Sequence, residues 1–434
     1  MKNILLAGLM IILVLSGCKK VNDDLALGKR PDERLNEILN QYSKDLTTGA
    51  PNGWKAYLFP KAGFGFGYYF TFDEKNRVKM YSDWNAATAT QAFESSYRIK
   101  ATQRPSLFFD TYSYIHILSD PDPSVGGGVA GAGYNSDFEF GFDSTKADVI
   151  YLTGNQNKTP LYIVKATKAE ADAYKAGGLN AFMDEINNYL QKNTFLYLDI
   201  DGKKIATSLV PDARSFSLAY EEGGSLKTTS SEFAFSLNSI FLKKPLTYGG
   251  VTFREVFWDA AKKELYILSG NTRIPVKAGT TPIFPMHLML GVSFTGISVP
   301  GAPLEGWSDG FKAEFQQAAR NLQASFSIAL LQMNFDFDTE LKTMTLQMII
   351  RQGTTNFQAL YYYGYTKTQD GIFKFKQNAA PNGNGGVIAT AVNPILKHID
   401  AERFKLEYLL SQTGTLGQFI SQDNPAIKFS GTMK

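Results

Sequence analysis

Residues 54–82 read WKAYLFPKAGFGFGYYFTFDEKNRVKMYS, three runs rich in aromatic and aliphatic residues divided by turn-forming ones. Trp54–Phe59, Phe66–Phe72 and Arg77–Ser82 read as antiparallel neighbours, with Asp73-Glu74-Lys75-Asn76 as the hairpin loop between the last two. Between the first two runs Gly63, Gly65 and Gly67 alternate with Phe64, Phe66 and Tyr68. That alternation sends three rings to one side of an extended chain and leaves the other side bare. The three rings are expected to line the mouth of a barrel.

The same grammar continues on both sides. Upstream, Pro31 to about Leu46 is expected to be a helix: Pro31 suits its first position and Asp32 and Glu33 suit the positive end of its dipole. Leu35, Ile38, Leu39, Tyr42 and Leu46 share one face. Downstream, strands are expected at Ser95–Ala101, Leu107–Phe109, Tyr112–Leu118, Phe138–Phe142, Val149–Leu152 and Leu161–Lys165. A helical stretch from about Ala169 to Leu190 follows, capped by Thr167 and broken at Gly177-Gly178. A second β-run extends from Phe195 to about Val299, with a turn at Asp201-Gly202 and a hairpin of Phe253–Trp258 with Glu264–Leu268. Pro300 to Gly306 has the composition of a linker, and Ser308 or Asp309 caps a helix reaching about Leu322. The remainder reads as strands at Ser325–Phe335, Leu341–Arg351, Phe357–Tyr365, Ile372–Phe375, Phe404–Leu410 and Ile427–Phe429, with Asn382–Gly386 as a mobile loop. No strict repeat recurs.

The pattern excludes regular βαβ alternation and predicts a mainly β chain with some α: antiparallel sheets as curled barrels or sandwiches, with a few packed helices. The expected division is a leader at 1–17, a tether at 18–30, a β-rich unit at 31–166, a helical connection at 167–194, a second β-rich region at 195–299 and an α+β region at 300–434.

The leader carries its own chemistry. Lys2 precedes an apolar run from Ile4 to Leu15, and Leu15-Ser16-Gly17-Cys18 follows. A basic start, a short apolar core and small residues before the cut are the parts of a signal peptide. Cys18 is the single cysteine of the chain. Its place after Leu-Ser-Gly matches a bacterial lipobox, which implies cleavage before Cys18 and acylation of its sulfur. Two or more chains give durable anchoring, since each buried methylene contributes about 0.8 kcal/mol. Loss of Lys2 with the leader takes the formal charge from +3 to +2. A near-neutral body argues against nucleic acid as a partner. With one cysteine, stability has to come from burial rather than disulfides.

Motifs of catalysis are thin. If Asp110–His116 is a strand, Asp110, Tyr112, Tyr114 and His116 share a face, and Asp137 and Glu139 share a parity on a neighbouring strand. This set could bind a ligand or place an acid and a base, as in an envelope hydrolase. It also reads as a polar cross-strand network that fixes register, and that reading carries more weight because no spacing in the set is diagnostic. Tyr361, Tyr363 and Tyr365 would form a sugar- or peptide-stacking platform if exposed, and core packing if not. His287 reads as a core residue and His398 as a helix-end residue; neither lies in a zinc-hydrolase pattern. Gly126, Gly128 and Gly131 match G-x-G-x-x-G without the strand and helix that motif needs, so they read as a flexible loop or lid. Ser293 lacks nucleophile-elbow spacing, and Asp199-Ile200-Asp201-Gly202 lacks the downstream glutamate of a calcium loop. The sequence implies no cofactor and no metal.

Asn52-Gly53-Trp54, Gly67-Tyr68, Glu94-Ser95-Ser96-Tyr97, Pro105–Tyr112, His116–Pro121 and Asp137–Phe140 occur in order, and Asp423-Asn424-Pro425 and Phe429-Ser430-Gly431 close the chain. This series resembles a Bacteroidota lipoprotein family known by its domain of unknown function 4302. The resemblance is greatest over about residues 31–165. It implies an outer-membrane lipoprotein beside a TonB-dependent transporter and a substrate-binding lipoprotein. The basic-then-acidic run Lys19-Lys20-Val21-Asn22-Asp23-Asp24 after Cys18 resembles the surface-export signal of such lipoproteins, which implies the cell surface. That role is accessory, non-catalytic binding of a glycan, peptide or partner in nutrient uptake. It supplies no catalytic residues.

Overall fold

The computed structural model describes residues 29–223, 225–411 and 414–434. Cys18, the leader and the tether before Lys29 lie outside the described residues.

Three closed barrels follow one another along the chain, each of eight antiparallel strands whose spatial order is the sequence order. The first consists of β1 (Trp54–Leu58), β2 (Phe66–Phe72), β3 (Arg77–Ser82), β4 (Phe93–Ala101), β5 (Pro105–Phe109), β6 (Glu139–Lys146), β7 (Val149–Gly154) and β8 (Pro160–Lys165). It closes by pairing β1 with β8, Trp54 opposite Lys165 and Leu58 opposite Leu161. The second spans Phe195 to Gly279 and closes with Leu198 opposite Val276. The third starts at Gly296–Pro300 and closes onto Lys428–Met433, with Ile297 opposite Met433. Residues 280–295 join the last two barrels, and Pro300–Gly306 lies within the third. The chain is therefore mainly β with packed helices, and of the two expected sheet forms the barrel is the one adopted. Closure leaves no edge strand open, and eight strands enclose a space that side chains fill.

The first barrel fills with Trp54, Ala56 and Leu58 of β1 and with the rings of Phe70, Phe109 and Phe140. Tyr57 points the other way, yet it too is buried, because it stacks on Phe241 of the second barrel with centroids 4.2 Å apart. Tyr57, Phe59 and Ala234 form a separate apolar cluster between the two barrels. Beyond it, the outer side has no side chains at Gly65, just before β2, and at Gly67 within it, and the strand Ser225–Phe235 lies directly against both.

The helix Pro31–Leu46 has the expected bounds, but only its C-terminal end docks. Tyr42 stacks on Phe142 at 3.8 Å and the Trp54 indole N–H donates to the Leu46 carbonyl at 3.0 Å. Leu35 and Ile38 remain 36% and 45% exposed. Thr167 caps Lys168–Lys175 through a reciprocal box with Glu170, and Gly177, at φ 81°, separates that helix from Gly178–Lys192.

Two expectations are corrected. Tyr112–Leu118 is not a strand: after Phe109 the chain turns and forms a short 3₁₀ helix at His116–Ser119. Thr111 ends the ladder, since its hydroxyl accepts from the Ser96 N–H at 3.1 Å and its carbonyl accepts from the Ser95 hydroxyl at 2.7 Å. Ile115 and Leu118, three residues apart, are then the buried pair, as a 3₁₀ turn requires. Asn382–Gly386 is not a loop either. Asn382 caps the 19-residue helix Gly383–Ala401 by accepting from the Gly385 N–H at 2.8 Å, and the glycines form its first turn. No helix among the described residues is long and apolar enough to cross a membrane.

Candidate functional site

The residues expected on one strand face do not converge. Asp110 accepts a two-pronged bond from the Arg98 guanidinium at 2.6 and 2.7 Å. Tyr112, 53% exposed, donates to Asp120 at 2.6 Å, and Tyr114 donates to the Gln91 carbonyl at 3.2 Å. His116 lies between the rings of Tyr112 and Phe138, and its Nδ1 is 3.1 Å from the Ser113 hydroxyl. Burial holds its imidazole below the usual range, so it is neutral at neutral pH.

Asp137 precedes β6 rather than sharing it with Glu139, which is that strand's first residue. The Asp137 carboxylate is buried and accepts from the backbone N–H groups of Gln156, Asn157 and Thr159 and from the Thr159 hydroxyl. All its lone pairs serve the turn between β7 and β8. Asp137→Ala would leave those donors without an acceptor, and a stability loss of about 2–3 kcal/mol in chemical denaturation is expected. A change below about 0.5 kcal/mol would remove Asp137 from the list of turn-holding groups.

The tyrosine platform is interior. Tyr361 and Tyr363 are each 1% exposed. Tyr361 donates to the Gly385 carbonyl at 2.9 Å, and burial, with Asp400 beside it, raises the Tyr363 phenol. Tyr365 packs edge-on against Phe337. His287 is buried, with its ring where a Cβ on Gly371 would fall. His398 sits in the last turn of its helix, its Nδ1 2.6 Å from Glu402.

What the fold does assemble is an aromatic cleft where the first barrel meets the second. It has a volume of about 310 Å³. Phe64 and Phe66 form one side and Trp84, in the turn after β3, another; Tyr134 closes it from the long connection between β5 and β6. The rings meet edge to face: Phe64 and Tyr134 at 5.6 Å and 86°, Trp84 and Tyr134 at 6.0 Å and 69°. Phe64 holds φ at 66°, a left-handed conformation that costs a bulky side chain energy. The glycine-rich segment is not a nucleotide loop: Val129 and Gly133 bond each other's backbone, and Tyr134 then donates its N–H to the Leu118 carbonyl at 2.8 Å. This pinning delivers Tyr134 to the cleft. Tyr68, expected beside Phe64 and Phe66, lies instead in the barrel interior.

The floor is a buried ion pair that joins the barrels. Arg214 projects from a turn of the second barrel and donates to the Asp83 carboxylate, to the Asp83 carbonyl at 2.6 Å and to the Gly65 carbonyl at 3.2 Å. Its guanidinium lies between the rings of Phe66 and Phe235, 5.1 Å from each. Asp83 also accepts from the Phe235 N–H at 2.9 Å. Burial lifts the Asp83 carboxyl above the usual carboxylate range, and the Arg214 charge opposes that rise. Burial likewise raises the Tyr134 phenol, again opposed by Arg214, so Tyr134 is neutral. On the rim, Asn187 comes from the helix Gly178–Lys192 and Asp212 from the Arg214 turn.

Of these residues the sequence pointed only to Phe64 and Phe66. Trp84, Tyr134, Asn187, Asp212 and Arg214 come from separate parts of the chain, and only the docking of two barrels brings them together. The available local signals were a tryptophan just beyond a strand and a Pro-Asp-Ala-Arg turn.

No curated protein matches the chain. Among solved structures, a penicillin-binding protein homologue from Pyrococcus abyssi is 11% identical with a TM-score of 0.16, over 34% of this chain and 37% of that one. The chain thus spans little more than a third of that protein. Transferrin binding protein B from Neisseria meningitidis is 10% identical with a TM-score of 0.13, over 88% and 76% of the two chains. The DNA polymerase III beta chain of Streptococcus pneumoniae is 9% identical with a TM-score of 0.14, over 92% and 97%. The family model described as Domain of unknown function (DUF4302) matches residues 23–260, which include every residue of the cleft. With more than half its length matched, the chain belongs to the DUF4302 family.

Proposed function

We propose that this chain is a non-catalytic binding protein, held on the outer membrane by acylated Cys18, that presents a ligand to a nutrient-uptake system. Its partners there would be a TonB-dependent transporter and a substrate-binding lipoprotein. The observation that carries the binding role is the cleft of Phe64, Phe66, Trp84 and Tyr134 over the Arg214–Asp83 pair. A concave site lined by rings, with a few polar groups at its rim, is what small-ligand recognition uses. The membrane address rests on Leu15-Ser16-Gly17-Cys18 and on the resemblance of the chain to a lipoprotein family. A hydrolytic role has less support, because Asp110 is held in an ion pair with Arg98 and Asp137 is saturated by its turn.

Cell fractionation tests the address. The native protein is expected in the outer-membrane fraction with an acyl mass on Cys18, and Cys18→Ala in the soluble fraction. A bare thiol at Cys18 in the purified native protein would end the anchoring proposal. Co-purification with a defined TonB-dependent transporter tests the partnership, and failure with every transporter encoded beside this chain counts against it.

A further inference from the structure

Resting on the binding role just proposed, the polar groups of the cleft specify what it binds. We infer that the cleft takes a neutral saccharide, one ring of which sits against Trp84 and Tyr134.

The chain has four tryptophans. Three are buried with their indole N–H bonded: Trp54 to the Leu46 carbonyl at 3.0 Å, Trp258 to Glu185 at 2.7 Å and Trp307 to the Ser430 carbonyl at 2.9 Å. Trp84 is the half-buried one, and its indole N–H has no acceptor among the described residues. The Tyr134 hydroxyl, the Asn187 amide and the Asp212 carboxylate likewise have no hydrogen-bond partner among the described residues. Two donors, an amide that does both and an anionic acceptor thus surround apolar ring surfaces. A hydroxyl is donor and acceptor at once, so a polyol satisfies this mixture. The C–H faces of a pyranose match the aromatic walls.

Charge weighs against the alternatives. The Asp83 carboxylate balances the charge of the Arg214 guanidinium, so the cleft has no net positive charge to hold a carboxylate or phosphate. Asp212 repels an anion at the rim, and the Arg214 guanidinium already lies over the Phe66 ring that a cation would use. A purely apolar ligand would desolvate the Trp84 and Tyr134 donors without replacing their water bonds. A volume of about 310 Å³ lies at the small end of ligand sites, and one or two rings of a longer chain fit that scale.

Trp84 makes the test direct, since it is the tryptophan that solvent and ligand reach. The full-length protein is titrated with maltoheptaose, cellohexaose, xylohexaose, mannohexaose and hexa-N-acetylchitohexaose, followed by tryptophan emission and calorimetry. Oligogalacturonate and tryptic casein peptides form the charged and peptide arms. At least one neutral oligosaccharide is expected to bind saturably. Trp84→Phe and Tyr134→Ala should each weaken it about tenfold and Asn187→Ala about threefold. Tyr112→Ala, on the outer surface, should leave it unchanged. No binding by any neutral oligosaccharide at about 10 mM overturns the inference. So does binding only in the charged or peptide arm, or saccharide binding that survives both Trp84→Phe and Tyr134→Ala. Circular dichroism of each variant separates lost binding from lost fold. Fractionation and co-purification do not depend on the cleft, so a failed titration beside an intact anchor rejects the saccharide alone.

Discussion

Arg214→Met should destabilise the joined first and second barrels by about 3–5 kcal/mol, the cost of leaving one member of a buried ion pair alone. The Asp83 side chain is fully buried and that of Arg214 is 10% exposed, so solvent cannot take over the lost partner. One Asp83 oxygen, Oδ1, already lacks a hydrogen-bond partner, which leaves the remaining interactions little to spare. Domains have only about 5–15 kcal/mol in hand, so a loss of this size shows in any denaturation experiment.

The pH dependence has a definite sign. The folded Asp83 carboxyl lies above its unfolded value, so the folded state binds the proton more tightly. Its contribution is complete below the unfolded value and is lost as pH rises through the folded one. Removing Arg214 removes the charge that opposes this rise and lifts the folded value further. The deficit of Arg214→Met should therefore be largest at neutral pH and shrink as pH falls toward the acid range, where Asp83 is protonated. Asp83→Asn combined with Arg214→Met should recover much of the loss, because no buried charge remains. Denaturant midpoints at neutral and mildly acid pH check all three statements. A single variant within about 1 kcal/mol of the parent at neutral pH would refute them.

Most of the fold was legible because the signals that fix a strand or helix are local. The helix from Pro31, the Thr167 cap, the Asp201-Gly202 turn and the strand Arg77–Ser82 are set by residues within a few positions of one another. Expectations failed where a side chain replaced a backbone partner. Thr111 takes over a ladder bond and stops a strand that Tyr112–Leu118 would otherwise continue. Asn382 turns a glycine-rich run into the first turn of a helix. The cleft was half legible. Alternating Gly and Phe placed Phe64 and Phe66 at a barrel mouth, but the strand opposite, Phe233-Ala234-Phe235, lies far along the chain in another barrel. Nothing periodic links Gly67 to Phe235, since their contact is set by how two finished barrels pack.

That contact carries the second large effect. Gly67→Ala should cost about 3 kcal/mol or more and should separate the two barrels' unfolding. A Cβ at Gly67 would lie 1.9 Å from the Phe235 carbonyl oxygen, and one at Gly65 would lie 2.5 Å from the Phe233 carbonyl oxygen. Both obstacles are backbone, so no rotamer change relieves them; a barrel wall has to move. Phe235 also donates its N–H to Asp83, and Gly67 accepts the Asp83 N–H at 2.9 Å, so moving the wall breaks the ion-pair floor as well. Gly63 is the internal control. A Cβ there meets nothing within 4 Å, but its φ is 101°, so Gly63→Ala strains only the local backbone, by about 1–2 kcal/mol. Gly67→Ala is therefore expected to lower the melting temperature well beyond Gly63→Ala. It should also expose the connection at 167–194 to limited proteolysis and abolish any ligand response of Trp84. Equal losses in the two variants would mean that Gly67, like Gly63, serves its local backbone rather than the approach of the second barrel.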